Sequence, residues 1–182
     1  MAEDKRLVPY QPLDLDEPAE LVTAIRKRRG GQLINLDRML LHSVPFARGW
    51  NQFLGEVRNN LALDPKLREI AMCGVAVLNG AEYEFLHHAP VLLEAGGTQE
   101  QIDALRHIGQ APMPSRLFSP LEEDVIELIV QMTRQIKVDS KLQERIQTAL
   151  GNTCLVELTG VIATYNMVSR FLVALEVTPD QH

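Results

Sequence analysis

Four side chains near the middle of the chain have the types and spacing for proton chemistry: Glu69, Glu84, His87 and His88. Glu84 and His88 are four residues apart and share one face of any helix through NGAEYEFLHHAPVLLEAG, with His87 one position round. Glu69 stands ten residues before the Asn79-Gly80 turn signal, and His88 lies about as far beyond it, so a helical hairpin brings the two level. A carboxylate bonded to an imidazole fixes its tautomer and raises its pKa, which makes such a pair a proton relay. The same spacing also serves a plainer purpose, an i, i+4 pair that supports a helix or a histidine satisfied within a core.

Other chemistries find less support. Glu84-x-x-His87 has the spacing used by carboxylate-bridged di-iron bundles, but those need a second copy and two further glutamates, which the sequence does not supply. No metal is therefore expected. There is no glycine-flanked nucleophile elbow, no Cys-x-x-Cys and no glycine-rich phosphate loop. Cys73 and Cys154 lie far apart in apolar helical surroundings and read as reduced core residues.

The elements that must position these residues are helical throughout. A proline-punctuated arm over residues 1–17 (Pro9, Pro12) stays extended, either without fixed structure or laid across a neighbour. A first helix runs from about Pro18 to Arg29 and stops at Gly30-Gly31; its basic run Arg26 to Arg29 reads as a solvated helix end favoured by the macrodipole. The segment 35–60 reads as two helices broken near Ser43, a capping residue, and Pro45. Asp64-Pro65 is a cap followed by proline at the first helical position, and it opens LREIAMCGVAVLNG, which after Arg68 is apolar almost all round apart from Glu69. Asn79-Gly80 ends that helix, and Glu82 to Ala95 forms the next. Thr98-x-x-Gln101 and Ser119-Pro120-x-Glu122 are capping boxes, the first for a short helix to about Ile108, the second for a long one to about Lys137. A helix from Asp139 or Ser140 ends near Gly151. A final one runs from Asn152 to about Val177, with Leu155, Leu158, Ile162, Val168, Phe171, Leu172 and Leu175 on its apolar face. With no sustained period-two alternation, the fold class is all-α, seven or eight helices in one domain over residues 18–182.

Composition narrows the function classes. The 182 residues are 46% hydrophobic and 23% charged, enough for one sizeable core, and the net charge of -6 argues against nucleic acid and anionic membrane surfaces as partners. No stretch reads as a secretory signal or a bilayer span, so a cytoplasmic location is expected.

The run LDPKLREIAMCGVAVLNGAEYEFLHHAPVLLEAGGTQEQIDAL resembles the core of the carboxymuconolactone decarboxylase family, the wider group that includes alkylhydroperoxidase D, and the flanking stretches GGQLINLDRMLLHSVPFARGWNQFLGEVR and LVELTGVIATYNMVSRFLVALEVTP are similar too. The resemblance implies an alkylhydroperoxidase D-like helical fold and a homo-oligomer. In the peroxidase branch the pattern is a glutamate, then Cys-x-x-Cys, then a histidine four residues on. Here the glutamate falls on Glu69 and the histidine on His88, but the cysteine positions hold Ala81 and Glu84, which can form neither disulfide nor sulfenate. What remains is similar to the decarboxylase branch, which uses no cofactor and acts on a small carboxylate-bearing lactone.

That resemblance implies His88 as general acid or electrostatic partner, with Glu69 or Glu84 as its orienter. His87, Arg38, His42, Arg48, Tyr165, Asn166 and Arg170 are the polar candidates for binding substrate carboxylates. Two carboxylates arriving beside two glutamates would repel in a low dielectric unless one is protonated or an arginine clamps the site. A thiol oxidoreductase using Cys73 or Cys154, and a non-catalytic oligomer using the motif as an interface network, are the alternative readings.

Overall fold

A computed structural model describes residues 6–110 and 112–180. The first five residues of the expected arm fall outside them. Among the described residues there are eight helices and no strand. By its internal contacts the chain forms two compact units, one of Met1–Leu61 with Ala174–His182 and one of Ala62–Val173.

The first unit holds α1 (Ala19–Arg29), α2 (Asn35–Leu40) and α3 (Val44–Asn59). Helix α1 ends at Gly30 in the left-handed conformation, φ 80°, as its glycine pair requires. Ser43 stands at the N-cap of α3 with Pro45 in the first turn, although its side chain makes no capping hydrogen bond. The arm lies along its own unit. Arg26 Nη2 donates to the carbonyls of Leu13 (2.7 Å) and Leu15 (2.9 Å), Arg38 Nε to Gln11 (2.5 Å), and His42 Nε2 to Pro9 (2.7 Å). An extended, proline-rich segment has no internal partners for its carbonyls, so long donors from the adjoining helices supply them. The basic run is therefore more than a solvated helix end: Arg26 holds the arm, while Arg29 and Arg28 bond to the buried carboxylate of Asp37 at 3.0 and 3.5 Å.

The second unit is built round α4 (Pro65–Leu78), which packs against α5 (Glu82–Glu94), α6 (Gln99–Leu105) and α7 (Pro120–Arg134). Its residues Ile70 to Ala76 are all buried. Gly74 gives the close approach, since a Cβ there would meet Ile108 at 3.1 Å and Ile129 at 3.2 Å. The start signals act as the sequence dictates. Asp64 accepts from the amides of Lys66 and Leu67, and Thr98 and Ser119 each form a reciprocal capping box. The last helix, α8 (Ser140–Ala174), is broken at Gly151 (φ 77°, ψ 173°), the expected stop between two helices. Leu158, Ile162, Val168 and Leu172 are buried as its periodicity predicts, while Leu155, Phe171 and Leu175 are only half-buried.

One ion pair ties the hairpin of α4 to α7: Lys66 Nζ lies 2.7 Å from Glu122 Oε1. Burial works to raise the Glu122 pKa, but hydrogen bonds from Lys66 and from the Ser119 amide outweigh it and hold the carboxyl below its ordinary range. A depressed folded-state pKa adds stability above the unfolded-state value, and that stability is lost as pH falls through the folded-state value. Glu122→Gln should therefore show a smaller loss of urea stability on acidification than the parent protein. Parallel acid limbs in the two proteins would show that the pair does not act this way.

Candidate functional site

The α4–α5 hairpin turns at Asn79 and Gly80, and its register sets Glu69 against His88 with Oε2 2.8 Å from Nδ1. Glu69 is buried, whereas His88 and Arg68 keep 14% and 15% of their side-chain surface, so the imidazole and the guanidinium reach outward from a sealed carboxylate. The other oxygen of Glu69 accepts from Arg68 Nε at 3.2 Å. One carboxylate thus joins a fixed cation to a titratable imidazole. Because Nδ1 faces a carboxylate it carries the hydrogen, which leaves Nε2 as the nitrogen that gives or takes a proton. The Tyr165 ring meets His88 edge-on, centroids 5.0 Å apart at 83°, and fixes the imidazole plane from α8.

Glu84 is buried one turn before His88 on α5. Cys73 senses both carboxylates: burial first, then Glu69 and Glu84, push its thiol well above the ordinary thiol range, with Arg106 opposing. Cys154 differs from its expected core position and is only half-buried.

The remaining candidates separate by role. His87 turns aside: its Nδ1 donates to the Tyr83 carbonyl at 2.7 Å and its ring stacks on Tyr83 at 4.3 Å, leaving it exposed beside the pair. Asn166 is part of the framework. Its Oδ1 accepts from Asn79 (3.0 Å) and Arg170 (2.6 Å), and its Nδ2 donates to Thr133 (3.0 Å) and the Ile162 carbonyl (3.0 Å), which fills the capacity of a carboxamide. Arg170 is thereby spent on holding Asn166. Arg38 and His42 belong to the first unit, where they hold the arm; His42 Nε2 donates to Pro9 while Nδ1 accepts from Gln11 at 3.2 Å, so both ring nitrogens are engaged. Arg48 is exposed on α3 of that unit. Of the sequence candidates, the second unit brings together Glu69, His88 and Tyr165, with Glu84 adjoining. Arg68 was not among them. The adjacency of Arg68 and Glu69 was visible, but neighbouring residues on a helix point to different faces, and only the length of the arginine brings it back.

Residues 45–113 match the model of the carboxymuconolactone decarboxylase family, a stretch that includes the whole α4–α5 hairpin. Over that stretch the chain is similar to the family. Two solved structures share the fold across nearly the full chain. An uncharacterised peroxidase-related protein from Silicibacter sp. TM1040 is 16% identical, with TM-score 0.77 over 98% of this chain and 93% of its own. A second such protein, from Ralstonia eutropha JMP134 and described as an alkylhydroperoxidase AhpD core, is 13% identical with TM-score 0.77 over 99% and 95%. The all-helical architecture is therefore the alkylhydroperoxidase D-like fold. No curated protein matches the chain. Among the described residues no helix is long and apolar enough to cross a membrane, and no cluster of His, Cys, Asp and Glu has the arrangement to hold a metal ion.

The cysteine environments predict a clear order of reactivity. A neutral-pH thiol reagent should label Cys154 on folded protein and reach Cys73 only after denaturant is added. Native-state labelling of Cys73 at the rate of Cys154 would reopen thiol chemistry.

Proposed function

We propose that the chain is a cofactor-free acid–base enzyme acting on a small organic acid or lactone, by decarboxylation or a related lyase or isomerase step. The observation that carries this reading is the 2.8 Å contact between a sealed Glu69 and a partly accessible His88, with Arg68 on the opposite oxygen. Decarboxylation breaks the bond between a carbon and its carboxylate, releases carbon dioxide and leaves the electron pair as an enolate. His88 in its protonated form then delivers the Nε2 proton to carbon and is reprotonated from solvent. Glu69 stabilises the imidazolium before the transfer and again once the ring is reprotonated. Arg68 spends its Nε on Glu69, and the other nitrogens of its guanidinium fork can bind a substrate carboxylate, which answers the repulsion expected at a site rich in glutamate. Tyr165 orients the imidazole.

A thiol peroxidase reading is disfavoured by the same geometry. Ala81 and Glu84 stand where that branch has its two cysteines, and the Cys73 thiol is buried beside two carboxylates. A cytoplasmic location goes with the small-molecule chemistry proposed, and the proposed macromolecular partner is a second copy of the chain. Helix α5 favours it, since Leu86, Val91 and Leu93 leave the outer side of α5 apolar, at 47%, 36% and 43% exposure. Light scattering should give a mass that is a multiple of 20.4 kDa, and a monomeric mass would remove self-association from the reading.

Turnover of γ-carboxymuconolactone, followed in the ultraviolet with chelator present, is the test of the chemistry. The parent protein should consume it, and His88→Ala should lose about 10²–10⁴-fold in kcat/KM, the usual contribution of a positioned proton donor. Arg68→Gln should raise KM more than it lowers kcat. No turnover above buffer removes this lactone as substrate, and equal turnover by His88→Ala removes the general acid.

A further inference from the structure

Three arginines of the first unit face one small cavity. Arg28 and Arg29 reach it from the end of α1 and Arg58 from the end of α3, with Trp50, Asn51 and Gly55 completing its wall, and its volume is about 170 Å³. The helix macrodipole accounts for a cation at the end of each helix. It does not account for three guanidiniums converging on the same space, which like charges avoid unless something compensates them. For Arg28 and Arg29, which share the one carboxylate of Asp37, the answer is partial, since Asp37 bonds Arg29 at 3.0 Å and Arg28 only at 3.5 Å. The balance is visible at Arg28, whose pKa is held below the ordinary arginine range by burial first and then by Arg29, with Arg58 adding to this; Asp37 pulls the other way without restoring it.

We propose that this cavity is a binding site for a phosphate-type oxyanion, held by the guanidinium groups of Arg28, Arg29 and Arg58. Arginine forks match the geometry of phosphate oxygens through paired N–H donors, and such charge-assisted hydrogen bonds are short and strong. The cavity is small and suits the anionic group itself, whether as inorganic phosphate or as the phosphoryl end of a small metabolite. Nothing in the site depends on the acid–base chemistry assigned to α4 and α5, so each reading can fail without the other.

The test is thermal unfolding of the full chain against increasing inorganic phosphate, with chloride at equal ionic strength as reference and glycerol 3-phosphate as a second arm. Anything that binds the folded state alone raises Tm with its concentration. Tm should rise with phosphate beyond the chloride reference, and isothermal titration should give saturable binding. Arg28→Gln should weaken that binding by about tenfold or more, the loss expected for one charged hydrogen-bond donor. Its Tm in chloride should be equal to or above that of the parent, because Asp37 keeps Arg29 and a repelling charge is gone. Arg28→Lys should bind between the two, keeping the charge and losing the fork. A response to both ligands assigns the site to the phosphoryl group on any small carrier, and a response to phosphate alone assigns it to the free ion. No saturable binding by the parent protein, or undiminished binding by a folded Arg28→Gln, overturns the proposal. Should Arg28→Gln fold poorly, broadening of the phosphorus resonance of inorganic phosphate by parent protein, reduced with Arg28→Lys, decides the same question, and equal broadening by the two overturns the proposal.

Discussion

A carboxylate enclosed in an apolar helix is expensive unless its charge is answered, and Glu69 on α4 is such a group. The residues that follow it on that helix are apolar, so its answer has to come from a long side chain before it or from the next element. Arg68 supplies one oxygen's partner from the same turn and His88 supplies the other's from α5. That requirement fixes the register of the α4–α5 hairpin as firmly as its apolar packing does. A slip of one residue in α5 would carry His88 away from Oε2 and leave a buried charge half-answered, at a cost of several kcal/mol. The turn at Asn79 cooperates, because its Nδ2 bonds Asn166 and Ser169 of α8 at 3.0 and 2.7 Å and so holds the far end of α4 to a third helix.

The hairpin then has two layers of support. Close packing comes first: Gly74 lets Ile108 and Ile129 approach the α4 backbone, closer than any side chain there would permit. Polar ties come second, with Lys66 to Glu122 at one end of α4 and the Asn79, Asn166, Thr133 network at the other. Polar networks of this kind specify geometry more than they add stability, because each member must sit where its partner needs it. A proton donor benefits from that arrangement, since an imidazole displaced by an ångström delivers its proton poorly.

Much of this was legible in the sequence, for identifiable reasons. Capping residues are local, and Asp64, Thr98 and Ser119 each bond the amides their position dictates. Glu69 was conspicuous because it interrupted an apolar helix, and counting outward from Asn79-Gly80 led to His88. What the sequence withheld was the partner of each polar side chain. Arg38, His42 and Asn166 stood out for their polarity on apolar helices, but polarity announces only that a partner exists. For Arg38 and His42 that partner is the carbonyl row of a proline-rich arm, and for Asn166 it is a pair of neighbouring helices. Arg68 escaped for the opposite reason, being an ordinary charge at the start of a helix until its reach to Glu69 is known.

Ala81 and Glu84, at the start of α5, leave the hairpin without a pair of thiols. A pair of thiols exchanges electrons through a disulfide, and neither Ala81 nor Glu84 can take part in one. The thiol nearby, Cys73, lies where two carboxylates already concentrate negative charge, so ionisation to the nucleophilic thiolate is opposed by burial and by both neighbours. Glu69 instead bonds the His88 imidazole at Nδ1 and so fixes its tautomer. On the acid–base reading proposed for the hairpin, the field that opposes a thiolate leaves proton transfer to a histidine. His88 is the group in that field with both a fixed tautomer and a way out to the surface.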